Sequence, residues 1–198
     1  MIDPFLLLAP LYLLGVMALL GFVGCFTKPP RPEDPPPFII DETVGDLRQD
    51  SAWFGMTIVV GPEKLIVYAL GRYFVQGNGG THRLRIVDPA GPTDIALTMV
   101  NMADGPYGPD DPYTYAYLTA PYVTLNPGAE YHILSEEIIS GDQFHDQNTV
   151  VRPLAKTVPD AVVKNAVSSD APGVFVPIPG PEHSYGPVNF RYRVDFDG

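Results

Sequence analysis

The stretch Phe190-Arg-Tyr-Arg-Val194 alternates apolar and charged side chains, and this alternation decides the fold class. A period of two places successive side chains on opposite faces of an extended backbone, which is typical of a strand with one buried face. Residues 82–86 and 113–117 show the same period. We therefore predict a domain that is built from β-strands.

Turn sequences rich in glycine, proline and asparagine separate further candidate strands. These candidates are residues 52–60, 64–75, 94–101, 121–125, 129–135 and 173–178. About nine short strands with tight turns predict an all-β fold, an antiparallel β-sandwich of the jelly-roll type. Asn78-Gly-Gly80 is predicted to form a hairpin turn. Residues 157–169 are the one candidate helix, and their β-branched side chains disfavour it.

The composition excludes several classes of protein. The 198 residues include 23 prolines and 19 glycines, which are too many chain breakers for a helical bundle. The 12 Lys and Arg against 23 Asp and Glu give a net charge of −11, so we expect no nucleic-acid partner. A single cysteine rules out an internal disulfide and a thiolate metal cluster.

Residues 5–26 contain no charged side chain. As a helix they would be about 33 Å long, which is enough to cross the hydrocarbon core of a bilayer. We therefore predict that residues 1–27 form an N-terminal membrane anchor helix, a transmembrane helix in contact with lipid. Its anchoring side chains are predicted to be Phe5, Leu6, Leu7, Leu8, Leu13, Leu14, Leu19, Leu20 and Phe22.

The N-terminus lacks the basic residues that begin a secretory signal, which favours an anchor that is retained. Two alternatives stay open. Phe22-Val-Gly-Cys25 resembles a bacterial lipobox, in which Cys25 would be lipidated after cleavage just before it. The segment could also be an ordinary cleaved signal.

Residues 28–37 contain six prolines and are predicted to be a proline-rich linker, a polyproline II spacer of roughly 30 Å. Residues 38–198 are of single-domain size and are predicted to be the β-sandwich domain. Lys28 and Arg31 follow the span and favour a cytoplasmic domain by the positive-inside rule. An acidic β-domain on a stalk favours the other side, and we predict a single-pass protein whose domain is periplasmic or extracellular.

Residues 71–88, 134–146 and 183–192 carry a resemblance to a known family. Together they resemble an uncharacterised β-sandwich domain of bacterial surface and secreted proteins, over about residues 51–193. That domain is often tandem, whereas this chain has one copy, and Phe144-His145 stands where two aromatic residues would be expected. The resemblance implies a non-catalytic accessory role, and it supplies no ligand or catalytic residue.

No catalytic or cofactor-binding residue is predicted. The histidines, at positions 82, 132, 145 and 183, show no metal-binding spacing, and no G-x-S-x-G elbow surrounds Ser184. Residues 136–146 are predicted to be a solvated acidic loop. The alternative is a pair of carboxylates that would hydrolyse a glycosidic bond. Its carboxylates would be drawn from Glu136, Glu137, Asp142 and Asp146.

A structural calcium ion is the candidate cofactor, because calcium needs only the oxygen ligands that acidic loops supply. Ordinary turns that use aspartate side chains are the alternative for the same loops. The candidate calcium ligands are Asp104, Asp110, Asp111, Asp142 and Asp146.

Aromatic residues are abundant, with 11 tyrosines and one tryptophan. We predict that Tyr113, Tyr115 and Tyr117 face the inside of the sheet and that Trp53 lies in the core. The favoured function is a membrane-anchored, non-catalytic accessory or structural subunit that binds other proteins of a membrane assembly. A surface carbohydrate-binding module with exposed tyrosines is the alternative, and a hydrolase that uses residues 136–146 is a third.

Overall fold

The computed structural model of the chain describes residues 34–91, 93–139 and 141–196. Within these ranges the protein is all-β with antiparallel sheets, as the alternation predicts, and it has one 3₁₀ turn at Met102–Asp104. The strands are β1 (Ile39–Thr43), β2 (Leu47–Arg48), β3 (Ala52–Val60), β4 (Lys64–Tyr73), β5 (Thr81–Asp88), β6 (Thr93–Asn101), β7 (Tyr113–Tyr117), β8 (Val123–Leu125), β9 (Glu130–Glu137), β10 (Phe144–His145), β11 (Thr149–Pro153), β12 (Ala161–Ala171), β13 (Val174–Ile178), β14 (His183–Ser184) and β15 (Asn189–Asp195).

Two large sheets hold most of the strands. The six-stranded sheet has the order β13-β12-β3-β9-β5-β6, and the four-stranded sheet has the order β15-β4-β7, with β8 also paired to β4. One hydrophobic core joins Met56 and Ile86 of the first sheet to Val67 and Phe190 of the second. This arrangement is compatible with a β-sandwich. The pairings β1-β11-β14 and β10-β2 form two smaller sheets.

The sequence located most of the long strands, but two of its predictions are wrong. Residues 157–169 do not form a helix, because β12 pairs with β3 on one side and with β13 on the other. Asn78-Gly-Gly80 is not a hairpin turn, since β4 and β5 on either side of it belong to different sheets. The turn instead carries the chain from the four-stranded sheet to the six-stranded sheet.

A β-bulge in β4 decides which of its side chains point between the sheets. From Val67 to Ala69 the pairing with β15 advances by only one residue. The extra residue shifts the alternation, so that Val67 before the bulge and Leu70 after it both reach the core. Arg72 lies two residues beyond Leu70, so its side chain also points inward, and it is 0% exposed.

A buried ion pair joins the two sheets at this point. Arg72 of β4 donates to Glu137 of β9, from Nε to Oε1 at 3.0 Å and from Nη2 to Oε2 at 2.8 Å. Ser135 donates its hydroxyl to Glu137 at 2.7 Å, and Arg72 also donates to the Gln143 carbonyl at 3.1 Å. A buried charge is tolerated when it is paired and its remaining hydrogen-bonding atoms are satisfied, as they are here.

Further hydrogen bonds fasten the turn at residues 78–80 to the loop after β9. Asn78 and the backbone of Gln143 exchange two bonds, of 2.7 and 3.1 Å. Asp142 accepts the next two amides of the turn at 3.1 and 2.8 Å, and His82 Nε2 lies 3.2 Å from the same carboxylate. The crossover between the sheets is therefore held next to the buried ion pair.

The end of the predicted linker packs on the domain. Phe38 stacks on Phe190 with ring centroids 4.6 Å apart, and its amide donates to the Phe190 carbonyl at 2.8 Å. The Tyr192 amide donates to the Pro36 carbonyl at 3.3 Å. Residues 34–37, which the sequence assigned to the linker, therefore contact the edge strand β15.

The rest of the linker, residues 28–33, and the whole predicted anchor with Cys25 lie outside the described residues. Among the residues that the structure does describe, no helix combines the length and the hydropathy needed to span a bilayer. The anchor and its orientation stay predictions of the sequence.

Replacing Arg72 with Met should lower the free energy of unfolding by about 3–5 kcal/mol, because Glu137 would be left buried without its cationic partner. Urea unfolding followed by circular dichroism measures this change. Arg152→Met is the matched control, since Arg152 is 58% exposed in its pair with Asp41. A surface pair of this kind is worth about 0–1 kcal/mol. Equal losses in the two variants would contradict the role of the buried pair.

Candidate functional site

The outer side of the six-stranded sheet gathers charged, aromatic and apolar side chains. One row across β6, β5, β9 and β3 consists of Met99, Arg83, Glu136 and Trp53. The next row consists of Leu97, Arg85, Leu134 and Gly55. Five of these side chains make up what we call the β5–β6 face, namely Trp53, Arg83, Arg85, Leu97 and Met99.

Trp53 packs on this outer side, against a buried apolar cluster of Val87, Leu134 and Val167. The Arg85 guanidinium stacks on the indole, 4.0 Å from the ring centroid. Trp53 is half-buried against this smaller cluster and is not part of the core between the sheets, so its prediction as a core residue holds only in part. The alternation along β3 turns it to the side of the sheet that faces away from that core.

Carboxylates hold the two arginines of the face. Arg83 donates to both oxygens of Glu136, and Arg85 donates to Asp94 at 3.2 Å. The hydrogen bond to Glu136 raises the pKa of Arg83, whereas burial lowers the pKa of Arg85. Within the described ranges, the buried Nε of Arg85 has no hydrogen-bond partner.

Leu97 and Met99 supply the apolar part of the face. They are 54% and 62% exposed, and they lie on β6 directly opposite Arg85 and Arg83. Protein interfaces are enriched in methionine, tryptophan and arginine, and tryptophan and arginine often carry most of the binding energy. The β5–β6 face therefore has the composition of a surface that binds another protein.

A second feature lies on the outer side of the four-stranded sheet. Ala116 and Leu118 pack against the main core, so the alternate residues Tyr113, Tyr115 and Tyr117 point away from it. The prediction that these tyrosines face inward is wrong. Their exposure differs along the strand, from 1% at Tyr113, which packs beneath other elements, to 42% at Tyr117.

Tyr115 and Tyr117 border a cleft of about 420 Å³. We call it the tyrosine cleft, and its lining includes Asp104, Tyr107, Thr114, Tyr115 and Tyr117. Its volume falls in the range of sites that bind small molecules or short peptide segments.

Arg191 of β15 supports the cleft from behind. Its guanidinium lies 3.9 Å from the ring centroid of Tyr107 and 4.5 Å from that of Tyr115. It also forms an ion pair with Asp111 and donates to the Pro35 carbonyl at 2.8 Å. Burial raises the pKa of Asp111 even though Arg191 opposes the shift. The Arg191 guanidinium of β15 therefore contacts both the linker end, at Pro35, and two tyrosines of the cleft.

Carbohydrate stacking requires open aromatic faces, and arginines of the chain itself cover one face each of Tyr107, Tyr115 and Trp53. Tyr117 and Tyr122 are 42% and 45% exposed. These two tyrosines are therefore the better candidates for stacking on a sugar, and carbohydrate binding stays a prediction.

The candidate calcium ligands do not converge. Asp111 pairs with an arginine, Asp142 accepts two turn amides, and Asp146 is 1% exposed and bonded to Asn148. Asp104 and Asp110 are exposed in the loop before β7. Across the parts of the chain that are described, no three His, Cys, Asp or Glu side chains form a group that could hold a metal ion. The calcium prediction gains no support from this geometry.

The side chains considered for hydrolysis are engaged in the fold. Glu136 binds Arg83, and Glu137 is buried against Arg72. Ser184 is 0% exposed and donates to the carbonyl of the next residue at 2.7 Å. These residues therefore contribute hydrogen bonds to the structure.

The four histidines make separate hydrogen bonds. His145 and His183 each bond a backbone carbonyl at 2.9 Å, and His132 bonds the hydroxyl of Thr57 at 3.0 Å. Burial lowers the pKa of His132 to about 4. His82 belongs to the contacts around the turn at residues 78–80.

The sequence analysis missed Glu42. This residue lies on β1, which was not predicted, and the Tyr113 hydroxyl donates to its carboxylate at 3.5 Å. Burial raises the pKa of Glu42 to about 7, and the neighbouring charge of Asp41 adds to the shift. No local pattern marks this residue, because its environment comes from a strand 71 positions away.

No known protein-family model matches this chain, and no curated protein matches its sequence. The resemblance to a bacterial surface β-sandwich domain stays a prediction.

Replacing Glu42 with Gln should stabilise the protein above neutral pH and leave it unchanged near pH 4. The pKa is raised from its ordinary 4.5 to about 7 in the folded protein, so folding favours the protonated form. The wild type therefore loses stability as the pH rises between these two values, whereas the amide variant does not. Melting temperatures across this range measure the difference. Glu63→Gln, at an exposed turn, is the control, and a difference independent of pH would contradict the assignment.

Trp53 is the single tryptophan and reports on the β5–β6 face by fluorescence. Replacing Arg85 with Gln removes the stacked guanidinium, so acrylamide should quench Trp53 more strongly. The loss in stability should be about 0.5–2 kcal/mol, the range of cation–π contacts from exposed to desolvated sites, because the Arg85 side chain is only 12% exposed. Arg152→Gln, remote from the indole, should leave quenching unchanged. Equal quenching in all three proteins would argue against the stack.

Proposed function

We propose that the chain is a membrane-tethered, non-catalytic β-sandwich of the jelly-roll type that acts as an accessory or structural subunit of a larger membrane assembly. Residues 1–27 hold the protein in the bilayer as a single-pass helix, and the domain lies on the extracytoplasmic side. The domain binds partner proteins of the same membrane.

The β5–β6 face is the observation that carries this proposal. Leu97 and Met99 are the most exposed side chains of the face, and covering them would contribute about 25 cal/mol for each Å² of apolar surface. Arg83, whose side chain is 50% exposed, lies beside them and can donate to carboxylates or carbonyls of a partner. Trp53 adds a rigid aromatic side chain of the type that dominates binding energy at interfaces.

The position of the linker supports a docking role for this face. Residues 34–37 contact β15 and Tyr107, which lines the tyrosine cleft beside the four-stranded sheet. The β5–β6 face lies on the outer side of the other sheet. A domain tethered through one sheet leaves the opposite sheet accessible to neighbouring proteins.

The fixed state of the carboxylates supports a non-catalytic role. Glu136 and Glu137 are bonded to arginines, and Asp142 accepts two backbone amides. An acid–base pair needs a carboxyl group that can exchange protons with a substrate in an open site. These three groups instead hold strands and loops together.

Purification from native membranes in mild detergent tests the proposal. The full chain should elute in a particle much larger than its own mass, and Leu97→Asp should release it as a monomer by placing a charge in the apolar contact. Leu47→Asp is the matched control, because Leu47 is 47% exposed on β2, away from the six-stranded sheet. A wild-type monomer, or equal release by both variants, would contradict the proposal.

A further inference from the structure

We propose that the tyrosine cleft is a docking groove for the proline-rich segment of this same chain, residues 28–33. The segment would lie along the cleft, and the tether would leave the domain at the outer side of the four-stranded sheet. The docking itself is independent of any partner. Its consequence for the orientation of the domain rests on the proposed membrane anchor.

The domain already binds the end of the linker, residues 35–37. Pro35 is buried and its carbonyl accepts from Arg191 at 2.8 Å, and the Pro36 carbonyl accepts from the Tyr192 amide at 3.3 Å. Pro37 forms an antiparallel bridge with Arg191. Because proline has no amide donor, a proline run can form backbone hydrogen bonds only through its carbonyls, as Pro35 and Pro36 do.

The linker end also contacts residues that line the cleft. The Tyr107 hydroxyl donates to Asp34, and burial together with a hydrogen bond to Asp34 raises the pKa of Tyr117. Tyr107 and Tyr117 both line the cleft. Asp34, the first residue of the described range, therefore lies beside the cleft.

Residues 28–33 and the lining of the cleft are chemically complementary. Extended proline-rich segments bind grooves lined by aromatic side chains, because the polyproline II conformation loses little entropy on binding. Tyr117, which is 42% exposed, lines the cleft, and so do Tyr107 and Tyr115, each with one ring face against Arg191. The segment has three prolines together with Lys28 and Arg31, and Asp104 in the cleft lining is a carboxylate that either could pair with.

Docking would shorten the free part of the tether and fix its direction. The ten-residue linker would then act as a strap on the four-stranded sheet, with residues 34–37 already in contact. The β5–β6 face, on the other sheet, would be held pointing away from the point where the chain enters the membrane. A flexible linker would leave that face without a defined orientation.

Photo-crosslinking within the full chain in mild detergent tests the docking. With p-benzoylphenylalanine in place of Pro30, irradiation should link the segment mainly to residues 104–117, as located by mass spectrometry. Tyr117→Ala and Asp104→Asn should each lower this yield at least about threefold, which corresponds to a modest loss of binding free energy.

Two matched variants control for non-specific effects. Tyr122→Ala removes a tyrosine of nearly the same exposure, 45% against 42%, that does not line the cleft. Asp110→Asn removes another exposed carboxylate from the same loop. Both should keep the wild-type yield. Melting temperatures of all variants identify any that fail to fold.

Crosslinks that spread over the domain, or that fall equally in test and control variants, would overturn the proposal. Crosslinks elsewhere combined with glycan-array binding that Tyr117→Ala abolishes would assign the cleft to a carbohydrate and also overturn it. The experiment contains no partner protein. Its failure is therefore distinct from failure of the assembly proposal, which depends on elution from native membranes.

Discussion

The buried ion pair of Arg72 and Glu137 is the interaction on which the rest of the structure depends. It joins β4 of one sheet to β9 of the other inside a fold whose interior is otherwise mainly apolar. Such a pair is tolerated only when every polar atom of the two side chains has a hydrogen-bond partner. Strands β4 and β9 must therefore hold Arg72 and Glu137 at hydrogen-bonding distance. The bulge in β4 is what brings Arg72 to this position. Around the pair, the turn at residues 78–80 and the loop after β9 are bonded to each other.

With the sheets held in this way, each has an outer side with its own chemistry. The outer side of the six-stranded sheet carries arginines, a tryptophan and two exposed apolar side chains. The outer side of the four-stranded sheet carries tyrosines around Arg191, and residues 34–37 reach it from the linker. Arginine–aromatic stacking occurs on both sides, and within the described residues the linker end contacts the second side. The proposed division into a tethering side and a binding side follows from this difference.

Local sequence patterns predicted the strands, but they did not predict which strands pair or which face of a strand is buried. Alternation places Tyr113, Tyr115 and Tyr117 on one face, but the period is the same whichever face is buried, so the wrong face was chosen. The β-branched residues of β12 indicated that a helix was doubtful, yet its two neighbouring strands come from distant parts of the chain. Arg72 and Glu42 carry no local signal, because long-range contacts determine their surroundings.

Hydrogen exchange of the full chain provides the most direct test of the central claim that tethering and binding use opposite sheets. Exchange in native membranes would be compared with exchange of the chain purified in detergent. The account predicts slower exchange in membranes for β5 and β6, with residues 34–38 equally protected in both samples. Slower exchange at the tyrosines of β7 with β6 unchanged would contradict it, because partners would then bind the side assigned to the tether.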